Sequence, residues 1–330
     1  MRQRASLLAI CLLLGTAVGH AYLKLGNEVG DRIIPLKWSD LPVRYAVTNQ
    51  DVPGVSALDL EAAVGRAFAT WMAVPGTGIS STFVGFTSSD PFVEDDQSVI
   101  GFRSRPDLER TLGATTFTLD RLTGQVLESD IFLNSAFDWS VAPVGEPSRY
   151  DVESIAVHEV GHLLGLSHSA LGETALLSNG RRRVQGKSSV MFPIAFPPGN
   201  ILDRALAADD TAGLFDTYAP PAARTLGAIS GRVTRDGGGV FGAHVTAFNP
   251  ATGALVGSFT LSDSGDFVIA GLPVGVYIVR AEPLDDADLD SFFDTDAVVD
   301  LDFRPGFASR LVAVPAGGTS SRVEIQVTPK

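Results

Sequence analysis

Cysteine occurs once in 330 residues, at Cys11, and histidine only five times, at positions 20, 158, 162, 168 and 244. A single thiol excludes an intramolecular disulfide framework and any zinc site built on several thiolates. A metal centre must therefore draw on a very short list of imidazoles. Positive charge is scarce as well. Lys and Arg number 25 against 38 Asp and Glu, for a formal net charge of −13, which argues against nucleic acid or an anionic membrane as a main partner. Charged residues are 19% of the chain and hydrophobic ones 45%, so global disorder is excluded. Beyond Val18 no apolar run approaches the ~20 residues that span a bilayer, and no stable membrane anchor is expected.

What is present begins with an address. Arg2 and Arg4 form a positive head, Leu7 to Val18 an apolar run, and Gly19-His20-Ala21 a small-residue exit, the pattern of an export signal over residues 1–21 with cleavage after Ala21. Cleavage removes the one cysteine. The expected location is outside the cell, or the periplasm of a bacterium. Composition shifts again at Ala219-Pro220-Pro221-Ala222-Ala223-Arg224, where prolines end a helical pattern. This divides the mature chain into a first domain, 22–219, a linker, 220–226, and a second domain, 227–330.

The first domain reads as α+β. Strand patterns occur at Val43–Val47, Phe83–Phe86, Val99–Phe102, Thr115–Leu119 and Val126–Leu133, and helical spacing over Leu58–Met72, Val152–Gly165 and Arg204–Tyr218. After the linker only short alternating strands appear, at Ala228–Val233, Ala243–Asn249, Leu255–Leu261, Asp266–Ala270, Gly275–Ala281 and Arg322–Val327. These predict a small β-sandwich.

The segment that carries chemistry is Val157-His158-Glu159-Val160-Gly161-His162-Leu163-Leu164-Gly165-Leu166-Ser167-His168. His158 and His162 are four residues apart, so on a helix they share one face and can meet one ion. Gly165 permits the positive φ that breaks the helix and turns the chain back, which brings His168 within reach of the same ion. Three neutral nitrogens with one position left open describe a catalytic zinc rather than a structural one. Such an ion lowers the pKa of water from about 15.7 toward about 7. Glu159 then serves as general base for attack on an amide carbon and returns the proton to the leaving nitrogen.

At these residues the sequence resembles the metzincin metalloproteases, and its surroundings resemble the matrixins within them. Asp151 to Val157 leads into the helix and Leu166-Ser167-His168-Ser169 leaves it in the matrixin manner. Ser189-Val190-Met191-Phe192-Pro193 is similar to the Met-turn, which implies Met191 as an apolar floor under the histidines. The likeness extends over about residues 36–219. It implies a twisted, mostly parallel sheet with three helices. In the all-β region that follows, Ile229-Ser230-Gly231-Arg232-Val233, Asp263-Ser264-Gly265-Asp266-Phe267 and Gly271-Leu272-Pro273-Val274-Gly275-Val276-Tyr277 resemble the carboxypeptidase regulatory-like modules, which implies an immunoglobulin- or transthyretin-like sandwich. Asp209 and Asp210, in the last helix, read either as a solvated helix end or as a tie to the mature N-terminus.

The resemblance also has gaps. No histidines remain between Tyr22 and Val157 for a second, structural zinc, and latency by a propeptide cysteine is excluded. Calcium is a further cofactor candidate near Glu94-Asp95-Asp96, with a solvated acidic loop as the alternative. The eight aspartates between Asp285 and Asp302 lack the pattern of an EF-hand loop. His244 reads as a packing or surface residue, and Arg181-Arg182-Arg183 as a solvated loop, with contact to acidic substrates or a site of proteolysis as the alternative.

The expected substrate is a protein or peptide that adds a strand to an exposed edge, assigned to about Glu128–Asn134. Candidate substrate contacts are Leu163, Ile131, Leu133, Pro193 and Phe196. The expected protein is a secreted zinc endopeptidase with one catalytic ion. The competing expectation is an adhesin or scaffold that keeps zinc without turnover. Oligomeric state has no signature in the sequence.

Overall fold

A computed structural model describes residues 4–7, 24–29, 32–220, 225–284, 289–293 and 297–330. Most of the expected export signal lies outside the described residues, as does most of the linker. The described chain groups into two units, one mainly Ile34–Gly165 with Ala195–Leu206, the other mainly Leu166–Ile194 with Ala207–Lys330. This division does not run through the prolines at 220 and 221. The stretch after the zinc-motif helix and the helix before the prolines both group with the C-terminal region.

The first unit is built on β1 (Val43–Thr48), α1 (Ala57–Met72), β2 (Ser81–Thr87), β3 (Ser98–Arg103), β4 (Gly113–Asp120), β5 (Gln125–Asn134) and α2 (Val152–Leu163). Helix α1 starts where Ser56 and Asp59 cap each other reciprocally, the hydroxyl accepting from Asp59 N at 3.2 Å and the carboxylate from Ser56 N at 3.0 Å. Its apolar stripe Leu60, Ala63, Val64, Ala67, Phe68 and Trp71 is buried, as the helical spacing predicts. The Trp71 indole then donates to the carbonyl of Val157 at 2.8 Å, fixing α1 against α2. Buried indole N–H groups need such a partner.

The strand order is Arg4–Leu7, β4, β5, β3, β1, β2. Strands β5, β3, β1 and β2 run parallel, and β4 is antiparallel to β5. The mostly parallel sheet expected from the matrixin likeness is present in this unit. One expectation is corrected. Glu128–Asn134 is not an exposed edge, because β5 pairs with β3 on one side, Ile100 opposite Ile131, and with β4 on the other, Thr115 opposite Ile131. Alternating hydrophobicity reports which faces of a strand are buried and is silent on whether its edges are paired. Among the described residues, only Arg4–Leu7 pairs with the outer side of β4.

The second unit contains a hairpin, β6 (Gly172–Leu176) and β7 (Arg182–Lys187), then α3 (Ala208–Tyr218) and the C-terminal strands. Arg182 and Arg183 thus stand in a strand, where a loop was expected. The C-terminal strands are β8 (Gly227–Arg235), β9 (His244–Phe248), β10 (Leu255–Phe259), β11 (Asp266–Leu272), β12 (Gly275–Glu282), β13 (Val312–Val314) and β14 (Thr319–Val327). They form two sheets. One holds β8 between β11 and β14; the other runs β10, β9, β12 with β13 also on β12. Ile229, Val233, Phe267 and Ile325 from the first sheet share one apolar cluster with Val245, Val279 and Tyr277 from the second. The six strands expected from sequence all occur. Part of the aspartate run, 285–288 and 294–296, lies outside the described residues; Asp300 pairs with Arg235 at 2.8 Å. Among the described residues no helix is long and apolar enough to cross a membrane.

Candidate metal centre

Helix α2 carries two of the three histidines, and its start is built from polar contacts. Asp151 caps it, accepting from Ser154 N at 2.8 Å and from the Ser154 hydroxyl at 2.7 Å. The guanidinium of Arg204 binds the same carboxylate at 2.5 and 2.9 Å, and Arg66 binds Glu153 at 2.6 Å. Its last turn is held by Trp38, whose indole donates to the carbonyl of Leu163 at 2.9 Å. The helix ends before Gly165, at φ +91°. There a Cβ would stand 2.2 Å from the carbonyl oxygen of Leu36. Backbone conformation and space thus both demand glycine.

Gly165→Ala is expected to destabilise the chain by about 1–3 kcal/mol from backbone strain alone, with a further penalty for the clash. Chemical denaturation of the variant measures this loss.

The i,i+4 spacing places the Nε2 atoms of His158 and His162 3.1 Å apart, with ring centroids 4.7 Å apart and planes at 88°. Ligand atoms of His158, His162 and His168 all lie within 4.8 Å of one another. Among the described residues they are the one set of three or more ligating side chains so close; none forms at Glu94–Asp96. The loop there is held by Glu128, which accepts from Asp96 N at 2.8 Å, and by Asp130, which accepts from Phe92 N at 2.6 Å and Val99 N at 2.7 Å.

The donor set fits zinc. Two nitrogens about 2.0–2.1 Å from one tetrahedral ion stand roughly 3.3 Å apart, close to the spacing of the helical pair. His168 Nδ1 lies 2.8 Å from the carbonyl oxygen of Ser291, and desolvation pushes its pKa below the ordinary imidazole value against the pull of that bond. A metal-binding imidazole must be neutral, and this shift favours the neutral ring.

Glu159 is buried, at 4% exposure. The Thr115 hydroxyl lies 2.8 Å from its Oε2 and 3.1 Å from its main-chain oxygen. Burial pushes the Glu159 carboxyl up to about 7, and the Thr115 bond opposes this. Gly113 leaves room for it, since a Cβ there would come within 2.9 Å of Oε1. Nothing in the strand pattern around Gly113 and Thr115 marked either as a neighbour of this carboxylate.

Met191 is buried in the turn that follows the hairpin, its carbonyl accepting from Ser169 N at 3.0 Å. Asp210 holds this turn. It accepts from the Ser189 hydroxyl at 2.5 Å, Val190 N at 3.0 Å, Met191 N at 3.3 Å and Ala207 N at 2.8 Å. Asp209 accepts from Gly257 N at 2.8 Å. Both aspartates are buried, at 3% and 2% exposure, which corrects the expectation of a solvated helix end. Burial, together with its neighbour Asp210, pushes Asp209 up to about 7.

Three of the expected substrate contacts are placed in the core: Leu163, Ile131 and Leu133 are at most 1% exposed. They have no surface to offer a peptide, because sheet and helix packing uses both of their faces. Pro193 and Phe196 are partly exposed. His244 is buried with Nδ1 3.4 Å from a Glu282 oxygen, apart from the other three histidines.

Comparison with known proteins follows this geometry. The matrixin family model matches residues 37–219. Metalloendoproteinase 5-MMP of Arabidopsis thaliana is 31% identical over 167 residues, covering 46% of this chain and 41% of the relative. Metalloendoproteinase 1-MMP of the same plant is 28% identical over 193 residues, covering 56% of this chain and 45% of the relative. The chain spans less than half the length of these curated relatives. The solved structure of the Bacillus anthracis TIE protein aligns with 32% of this chain and 17% of its own at 18% identity and a TM-score of 0.21, too slight to support an argument. The matched stretch is more than half of the 330 residues, and it contains the helix with His158, Glu159 and His162, the returning His168 and the Met191 turn: the chain belongs to the matrixin family.

Proposed function

We propose that this chain is an exported zinc-dependent endopeptidase whose ligands are His158, His162 and His168 and whose general base is Glu159. The observation that carries the reading is the convergence of three imidazoles within 4.8 Å, with a buried carboxylate next in sequence to the first of them. The matrixin family is zinc-dependent. When bound, zinc supplies a Lewis acid that acidifies water and polarises a carbonyl.

The chain's own residues do the rest. An extended peptide adds to the outer side of β4, antiparallel to it, in the register that Arg4–Leu7 takes opposite Phe117–Asp120. Removal of residues 1–21 on export frees that side. Glu159 takes a proton from the attacking water and delivers it to the departing amine nitrogen, so that no covalent link to the protein forms. Thr115 orients the carboxylate through its hydroxyl. The turn held by Asp210 keeps Met191 as an apolar support for the histidines, and Pro193 and Phe196 remain candidates for contact with the substrate. The C-terminal sheets are proposed to be a sandwich of the carboxypeptidase regulatory-like kind. No observation favours the scaffold alternative, and none supports calcium.

The test is digestion of a mixed peptide library by the purified chain, with sequencing of the new ends. Internal cleavage, its loss on treatment with a zinc chelator, its return with added zinc, and one zinc per chain by elemental analysis are expected. Cleavage indifferent to chelation, or no stoichiometric metal after loading, overturns the proposal.

A further inference from the structure

The carbonyl that meets His168 Nδ1 belongs to Ser291, 123 positions further along the chain. A carbonyl can only accept, so Nδ1 carries the proton and Nε2 keeps its lone pair for a ligand bond. Ser291 ends the short 3-10 turn Leu289–Ser291, and the two residues after it are among the most deeply buried in the chain, Phe292 at 0% and Phe293 at 1% exposure. The Phe292 ring stands 6.5 Å from the His168 ring, edge on, and 5.7 Å from Phe259; Phe293 stands 5.3 Å from Phe259 and 5.7 Å from Phe241. Phe259 belongs to β10, whose Gly257 N–H is the donor to Asp209. His168 and the start of α3 are thus each tied to a residue of the C-terminal region, the one to Ser291 and the other to Gly257.

We propose that Leu289–Phe293 is a positioning segment of the metal centre: the Ser291 carbonyl fixes the tautomer and ring orientation of His168, and Phe292 and Phe293 anchor that carbonyl. The inference rests on the zinc reading above and deepens it. It makes the C-terminal region part of the centre's support rather than a separable appendage. A hydrogen bond to the non-ligating nitrogen orients a metal-binding imidazole and raises its basicity, and losing such a partner typically costs 10–100-fold in metal affinity.

The experiment measures zinc affinity of the full chain by competition with a chromophoric chelator, after stripping and reloading. Phe292→Ala is expected to bind zinc about 10–100-fold more weakly than the parent. Ser291→Ala is expected to bind as the parent does, because the acceptor is main chain. In the zinc-loaded parent, a long-range proton–nitrogen NMR spectrum is expected to show His168 protonated at Nδ1, with slow exchange of that proton. Should Phe292→Ala fail to fold, the NMR spectrum of the parent and the affinity of Phe292→Leu, expected to be weaker than the parent's, decide the matter. Parent-like affinity in Phe292→Ala, or a His168 that lacks the Nδ1 proton, overturns this inference alone. A parent chain that takes up no zinc overturns the proposed function, and this inference with it.

Discussion

Replacement of Glu159 by glutamine is expected to lower kcat/KM for peptide hydrolysis by about 10²–10⁴-fold while zinc stays stoichiometric. Glutamine has nearly the same volume, and the space beside Gly113 accommodates it as it does the acid. Thr115 can still donate to the amide oxygen by rotating its hydroxyl. What disappears is the capacity to take a proton from water and return it to nitrogen, since an amide is not a base near neutral pH. Because Glu159 is no ligand in the proposed centre, metal content and unfolding midpoint should change little. Steady-state kinetics on a peptide found by library digestion, together with elemental analysis, check both halves. Turnover equal to the parent's would remove Glu159 from the chemistry and leave the histidine cluster without its base.

The second large effect is on stability. Asp210→Ala withdraws the acceptor from the Ser189 hydroxyl and from three main-chain N–H groups, those of Val190, Met191 and Ala207. Asp210 is 2% exposed, and its bonds to Ser189, Val190 and Met191 are buried, while that to Ala207 is half-buried. A buried donor left without a partner costs about 1–3 kcal/mol, and partial relaxation prevents a simple sum, so a loss of about 3–5 kcal/mol is expected for the variant. The loss should appear in the denaturation midpoint of the metal-free chain. Weaker zinc binding should accompany it, because the same carboxylate shapes the turn that carries Met191. A midpoint within experimental error of the parent's would show that the turn holds its shape without Asp210.

Much of the first unit was legible from local patterning. Helix α1 announces itself by apolar residues every three or four positions, and the structure places Leu60, Ala63, Val64, Ala67, Phe68 and Trp71 in the core. The β6–β7 hairpin was not legible, since Gly-Glu-Thr-Ala-Leu and Arg-Arg-Val-Gln-Gly-Lys are short and only partly buried, and show no clean alternation. Asp209 and Asp210 misled for a different reason. Acidic residues in the first turn of a helix are ordinary on a solvated surface, where they favour the helix dipole, and nothing local says that the surface will be covered. The edge assigned to Glu128–Asn134 failed likewise, because strand order is a property of the sheet.

The sequence by itself determined the proposed donor set: one cysteine and few histidines left little else, four-residue spacing on a helix forces two imidazoles onto one face, and a glycine after the helix is the residue that lets the chain reverse. Only the tertiary structure decided which strand borders the free side of the sheet, what buries Glu159, and that the Ser291 carbonyl meets His168. These depend on main-chain atoms and on neighbours distant along the chain. A carbonyl oxygen is the same in every residue, so no side-chain pattern can announce where it will point.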